Sequence, residues 1–199
     1  MAQKDYRAQR QDYKTPPSIY EPILELLNRY KFDMDVCCSE PNIPAHQYIM
    51  APENGLIASW CGFCFMNPPF KFAKYWITKA VAEAAKGVVV FSVLPADRLE
   101  TNYYQQLILK NEDCMFAFLP GKVGFIIPGR EDEEIKPSQK IMIVVFANRG
   151  LIRDLSLMWN LYRPFNSVAF KGVPDADLES QEKPKGSSVT IRNGTMFFK

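Results

Sequence analysis

The segment Phe65-Met66-Asn67-Pro68-Pro69-Phe70 sets a polar amide, two rigid rings and an aromatic ring directly after an apolar run. Each proline fixes its own φ and restricts the residue before it, so the Asn67 side chain and the Pro68 carbonyl are held in set directions. Both are hydrogen-bond acceptors, and a planar amino group can donate to both at once. That suits methylation of an aromatic amine, whose nitrogen lone pair is delocalised into its ring. Two acceptors on the amine hydrogens shift density back to nitrogen. Phe70 is placed to stack on such a ring and hold it in line with an electrophilic methyl group, so a direct displacement needs neither a covalent intermediate nor a general base. The plainer reading of the same residues is a strand-to-helix turn with prolines at the first helical positions.

Two further residues carry suitable groups. Thr15, before Pro16 and Pro17, offers a hydroxyl to a carboxylate, and Asp35, near a strand end, offers charge to a cationic ligand. A helix start and a solvent-facing strand position are the plainer readings. Cys37-Cys38 with Cys61 and Cys64 could supply four sulfur ligands to zinc. Both groups lie in apolar, strand-like stretches where cysteine often acts as a small hydrophobe, so no metal is expected.

The elements that must position these groups follow from periodicity. Ser18 and Glu21 have capping-box spacing, and Ile19, Ile23, Leu26, Leu27 and Tyr30 predict one apolar helix face. Residues 32–38 alternate as a strand, 39–46 read as loop, and 47–50 as a short strand before a turn at Pro52 to Gly55. Residues 62–66 predict a buried strand ending at Asn67, 72–86 a helix stopped by Gly87, and 88–94 a strand buried on both faces. A helix over 100–110, strands over 114–119, 122–127 and 140–147, and a helix over 151–161 complete the pattern. The order implies one α/β domain with a mostly parallel sheet, helices around it and an antiparallel finish. Ligands bind at the carboxyl edge of such sheets. Residues 1–14 read as an arm, 15–162 as the domain, and 163–199 as a polar tail with a possible hairpin across Asn193-Gly194.

A length of 199 residues allows one substantial core but not two ordinary domains. With 47% hydrophobic and 23% charged residues, neither disorder nor a fibrous class is indicated for the bulk. No apolar run is long enough to span a membrane and the first residues lack a signal core, so a cytoplasmic location is expected. Five cysteines, an odd number, argue for reduced thiols. The net charge of +2 says little about partners, because a dedicated nucleic-acid binder usually carries a clear basic excess.

Taken together, the motifs resemble the phage-type DNA N-6-adenine-methyltransferases. Those short enzymes show Thr-Pro-Pro near the amino terminus, an Asp-Val-Cys-Ala-Ser strand end, an Asp-Gly-Leu turn and Asn-Pro-Pro-Tyr. Here the corresponding residues are Thr15-Pro16-Pro17, Asp35-Val36-Cys37-Cys38-Ser39, Asn54-Gly55-Leu56 and Asn67-Pro68-Pro69-Phe70, in the same order and at similar spacing. Leu94-Pro95-Ala96 and Phe118 to Phe125 are similar to two further family segments, so the likeness runs over roughly residues 14–147.

The resemblance implies a Rossmann-like, S-adenosylmethionine-dependent methyltransferase fold that modifies the exocyclic N6 amino group of adenine in DNA. It implies that Thr15, Pro16, Asp35, Cys37, Ser39 and Asn54 line the S-adenosylmethionine pocket, while Asn67, Pro68, Pro69 and Phe70 grip the adenine. The base must leave the duplex stack to reach them. Arg98 and Lys122 are candidate phosphate contacts, and the loop 127–139 and the stretch after Leu151 are candidate recognition surfaces. Three departures accompany the match: the glycine-rich turn of nucleotide-binding sheets is absent at 38–42, Asn54 replaces the usual Asp, and Asp97-Arg98-Leu99-Glu100-Thr101 replaces an Arg-Thr-Asp-Thr-like stretch. RNA adenine and protein glutamine also present planar amino groups, and an inactive DNA-binding module is a third reading.

Overall fold

The computed structural model describes residues 13–50, 53–127 and 140–170, together with the backbone of two strands at 189–192 and 195–198. Six strands form one sheet: β1 (Phe32–Asp35), β2 (Ala45–Tyr48), β3 (Phe63–Met66), β4 (Val89–Pro95), β5 (Cys114–Phe118) and β6 (Ile141–Phe146), in the spatial order β2-β1-β3-β4-β6-β5. Neighbours from β2 to β4 pair in parallel. β6 runs antiparallel to both β4 and β5, so β5 points the same way as β4. The result is a mixed α/β architecture with a mostly parallel sheet.

Strand alternation sorts the core into two layers. Phe63, Phe65, Val89, Phe91, Ile143 and Val145 face α1 (Pro17–Leu26) and α4 (Arg149–Tyr162). Cys64, Met66, Val90, Leu94, Val144 and Phe146 face α2 (Ala73–Ala84) and the helix that starts as α3 (Asn102–Tyr104) and widens to Leu109. Helices therefore cover both faces. Each buried Leu, Ile, Val or Phe contributes on the order of 1.5–3 kcal/mol.

The structure corrects several expectations. The capping box does not form: α1 begins at Pro17 with Pro16 as its cap, and no side chain bonds the first turn. Pro17 presets the helical φ at the first position, where its missing N–H costs nothing, and the Ile19 N–H bonds the Pro16 carbonyl at 3.0 Å, so the cap falls two residues earlier and Ser18 stands exposed inside the helix. β1 stops at Asp35 because the chain turns there, the Cys37 N–H reaching back to Asp35 Oδ1 at 3.4 Å. β2 lies two residues earlier than expected. Residues 122–127 do not form a strand of the sheet; they contribute an antiparallel bridge between Lys14 and Ile126, and β6 fills the slot beside β5.

The start of the expected tail is packed. Pro164 and Ser167 are buried, Trp159 Nε1 donates to Ser167 Oγ at 3.1 Å, and Phe170 bridges to Phe116 along β5, which is an edge strand. The hairpin expected across Asn193-Gly194 is present as β7 (Val189–Arg192) and β8 (Thr195–Phe198), paired antiparallel. The acidic run 131–134, most of the loop 127–139 and residues 1–12 lie outside the described residues. Among the described residues no helix is long and apolar enough to cross a membrane, and no cluster of His, Cys, Asp and Glu gathers that could hold a metal.

Candidate active site

The chain leaves β1 outward to β2 and returns across β1 to β3, so the carboxyl ends of β1 and β3 flank the point where strand order reverses. A crevice opens there in open α/β sheets. This one holds a cavity of about 490 Å³, within the usual size range of small-molecule sites. Its wall combines the end of β1 from Asp35 to Glu40, the turn at Asn54 and Gly55, and the corner residues Asn67 and Pro69. Tyr13 and Thr15 enter from the amino-terminal segment, and Trp76 from α2.

The Thr-Pro-Pro and Asn-Pro-Pro corners meet at this wall. Asn67 Nδ2 donates to Thr15 Oγ1 at 3.0 Å, with Thr15 only 3% exposed. Thr15 thus engages the amide nitrogen, and Oδ1 is the acceptor of the same amide. The Cys37 thiol lies against the backbone of Asn67, whose N–H favours the thiolate slightly. Burial, with the Asp35 charge beside it, pushes the Cys37 thiol well above its ordinary pKa, and burial pushes Cys38 up to about 12. Both stay protonated near neutrality, so neither is an activated nucleophile.

Asp35 is 3% exposed at the floor of the cavity and has no ion-pair partner among the described residues. Burial pushes its pKa up to about 7, against smaller opposing effects of the Cys37 N–H and the Cys38 side chain. A cation entering the cavity would reverse that shift by favouring the carboxylate.

Asn54 forms its own turn, Oδ1 accepting the Leu56 N–H at 3.0 Å while its carbonyl accepts from Ile57 and Ala58. An Asp oxygen would accept the same bond. Gly55 follows because nothing larger fits: an added Cβ would run into the Val36 carbonyl oxygen and lie 2.8 Å from the Trp76 ring. Trp60 Nε1 fastens the turn by donating to the Gly55 carbonyl at 2.9 Å.

Not every expected site residue reaches the cavity. Pro16 caps α1 and Pro68 is buried, and neither is among the lining residues, whereas Ser39 and Asn54 line the cavity from exposed positions. Phe70 is not among the lining residues; its ring is edge-on to Phe125 at 6.1 Å, and the Tyr13 ring is tilted against Phe125 at 6.4 Å. Arg98 and Lys122 are exposed on the links after β4 and β5, which puts them on the same edge of the sheet as the cavity. Tyr13, Gly55 and Trp76 were not anticipated as lining residues. Tyr13 lies two residues before Thr15 and Gly55 sits inside the recognised turn, but Trp76 carries only the signal of a core-facing helix position.

Fold and cavity together define an open α/β protein with a cavity of small-molecule size at the switch point of its sheet, walled in part by Asn67 and Pro69. The chain belongs to the DNA N-6-adenine-methyltransferase (Dam) family, whose pattern matches residues 3–161. Membership implies methylation of the adenine N6 position in DNA. No curated protein and no solved structure matches the chain.

Proposed function

We propose that the protein transfers a methyl group from S-adenosylmethionine to the N6 amino group of an adenine flipped out of DNA, on a Rossmann-like methyltransferase domain of residues 15–162 in the cytoplasm. The observation that carries this reading is the Asn67–Thr15 hydrogen bond at the wall of a cavity lined by the buried Asp35 carboxyl, which has no ion-pair partner among the described residues.

The residues fit such a donor. A buried carboxyl with no cation beside it among the described residues suits a positively charged ligand. Asp35, Cys37, Ser39 and Asn54 would hold the donor, with Thr15 and Trp76 shaping the wall toward the corner. When bound, S-adenosylmethionine supplies an electrophilic methyl group on a sulfonium.

What the chain itself does is orient and polarise. Asn67 Oδ1 accepts an amine hydrogen of adenine, returning lone-pair density to N6. Thr15 keeps the amide in that orientation by accepting from its nitrogen. Pro68 and Pro69 remove backbone freedom from the corner, which lowers the entropic cost of alignment. Phe70, braced against Phe125, and Tyr13, lining the cavity, supply apolar and aromatic surface beside the base. Arg98 and Lys122 hold phosphates on the same edge.

Incubation with methyl-labelled donor and, separately, DNA, RNA and protein tests the reading. Label is expected in DNA as N6-methyladenine. Label confined to RNA or protein would overturn the substrate assignment.

A further inference from the structure

Beside the cavity, the start of α2 leaves two large aromatic side chains in solvent. Phe72 is 47% exposed and Tyr75 is 63% exposed, whereas Trp76, next to Tyr75, is buried in the cavity wall. The turn from Phe70 to Phe72 is tight, the Phe72 N–H bonding the Pro69 carbonyl at 2.8 Å, so this surface adjoins the Asn67-Pro68-Pro69 corner. Phe72 is the residue immediately before α2, and Tyr75 lies in the first turn of that helix, three residues on. Two lysines flank them: Lys71 and Lys74 are both exposed, and Lys71 Nζ lies 5.7 Å from the centre of the Phe72 ring.

Exposed aromatics interleaved with basic residues make a surface suited to nucleic-acid strands, because every base has a face that stacks and every nucleotide a phosphate that attracts a cation. The mechanism does not use any of these four residues. Extruding one nucleotide also unstacks its neighbours, and those bare faces need cover close to the corner that holds the target.

We propose that Phe72 and Tyr75, with Lys71 and Lys74, form a stacking platform for the DNA strand carrying the target adenine, engaging nucleotides that flank the flipped base. The proposal rests on the adenine assignment of the Asn67 corner. The aromatic rings cover exposed base faces and the lysines hold the intervening phosphates.

The test compares wild type, the double variant Phe72→Ala/Tyr75→Ala and the double variant Lys71→Gln/Lys74→Gln. Affinity is read by fluorescence anisotropy for a short random-sequence single strand across a salt series, with donor affinity by calorimetry and melting temperature as fold controls. The aromatic variant should lose about tenfold or more in strand affinity at unchanged salt slope. The lysine variant should lose about 0.7 of slope for each phosphate contact removed. Aromatic-variant affinity within about twofold of wild type would overturn the platform, since stacking losses run larger. So would a change in sedimentation at unaltered DNA affinity, which would make the patch a contact between copies. A wild-type protein that neither binds nor methylates DNA would instead sink the reading of the corner itself, and the platform with it.

Discussion

Two corners of the molecule share one pattern, a polar residue followed by two prolines, yet they stand in different situations. Thr15-Pro16-Pro17 opens α1 directly, with its hydroxyl buried and engaged by Asn67. Asn67-Pro68-Pro69 follows β3 and passes through a tight turn before α2, and its Asn67 and Pro69 line the cavity. In both, the prolines remove backbone freedom, so the polar side chain is aimed by the chain rather than by chance. The difference is burial. A buried hydroxyl next to an amide can only support it, whereas a partly exposed amide with a spare acceptor can act on something that arrives. On the proposed reading Asn67 works and Thr15 positions.

The sharpest way to break that contrast is to remove the working side. Asn67→Ala should cut turnover on the order of 10²–10³-fold, the usual loss when one oriented polar group at a transition state is deleted. Donor binding by calorimetry should stay near wild type. Loss of binding with turnover retained per bound enzyme would reverse the assignment.

Removing the supporting side should cost less. Thr15→Val deprives the Asn67 amide of its partner, and a net hydrogen bond of about 1 kcal/mol corresponds to several-fold in rate. The drop should fall on kcat more than on KM, and Thr15→Ser should restore it. Equal losses in valine and serine variants would make Thr15 a packing residue only.

Asp35 sharpens the comparison from the floor of the same cavity. Its pKa in the folded protein, about 7, exceeds the ordinary carboxylate value because of burial. The sign follows: the folded state binds the extra proton, so stability is fullest below the usual carboxylate range and declines as pH rises through about 7. Asp35→Asn should therefore raise the melting temperature at pH above 7 and change it little in acid. Affinity for the cationic donor should run the other way, strengthening as pH rises through about 7 with release of up to one proton. A pH-independent affinity would remove Asp35 from the cofactor site.

Smallest are the rim charges. Arg98→Gln and Lys122→Gln should each lower the salt slope of DNA binding by about 1 and weaken binding modestly at physiological salt. An unchanged slope would leave both as ordinary surface residues.

Much of this was legible from sequence where the signal is local. The apolar run into Asn67, the two prolines and the periodic helix behind them fixed β3, the corner and α2 within a few residues. Non-local pairings were not legible. β6 inserts between β4 and β5 because the sheet accepts an antiparallel partner there, and nothing in residues 122–127, which alternate like a strand, announces that the slot is taken. The Thr15–Asn67 bond joins residues 52 apart in the chain, so its two motifs were readable separately but not as one device. The direction of Phe70 depends on Phe125, itself held in a link without regular structure. The capping box failed for a local reason, since Pro17 presets the helical φ and starts the helix ahead of Ser18.

The most direct measurement is to sequence DNA, by a method sensitive to modified adenine, from cells expressing wild-type protein or Asn67→Ala. Modified adenine in one recurring sequence context for wild type, and none for the variant, is the predicted result. Unmodified DNA in both, or equal modification in both, would contradict the account.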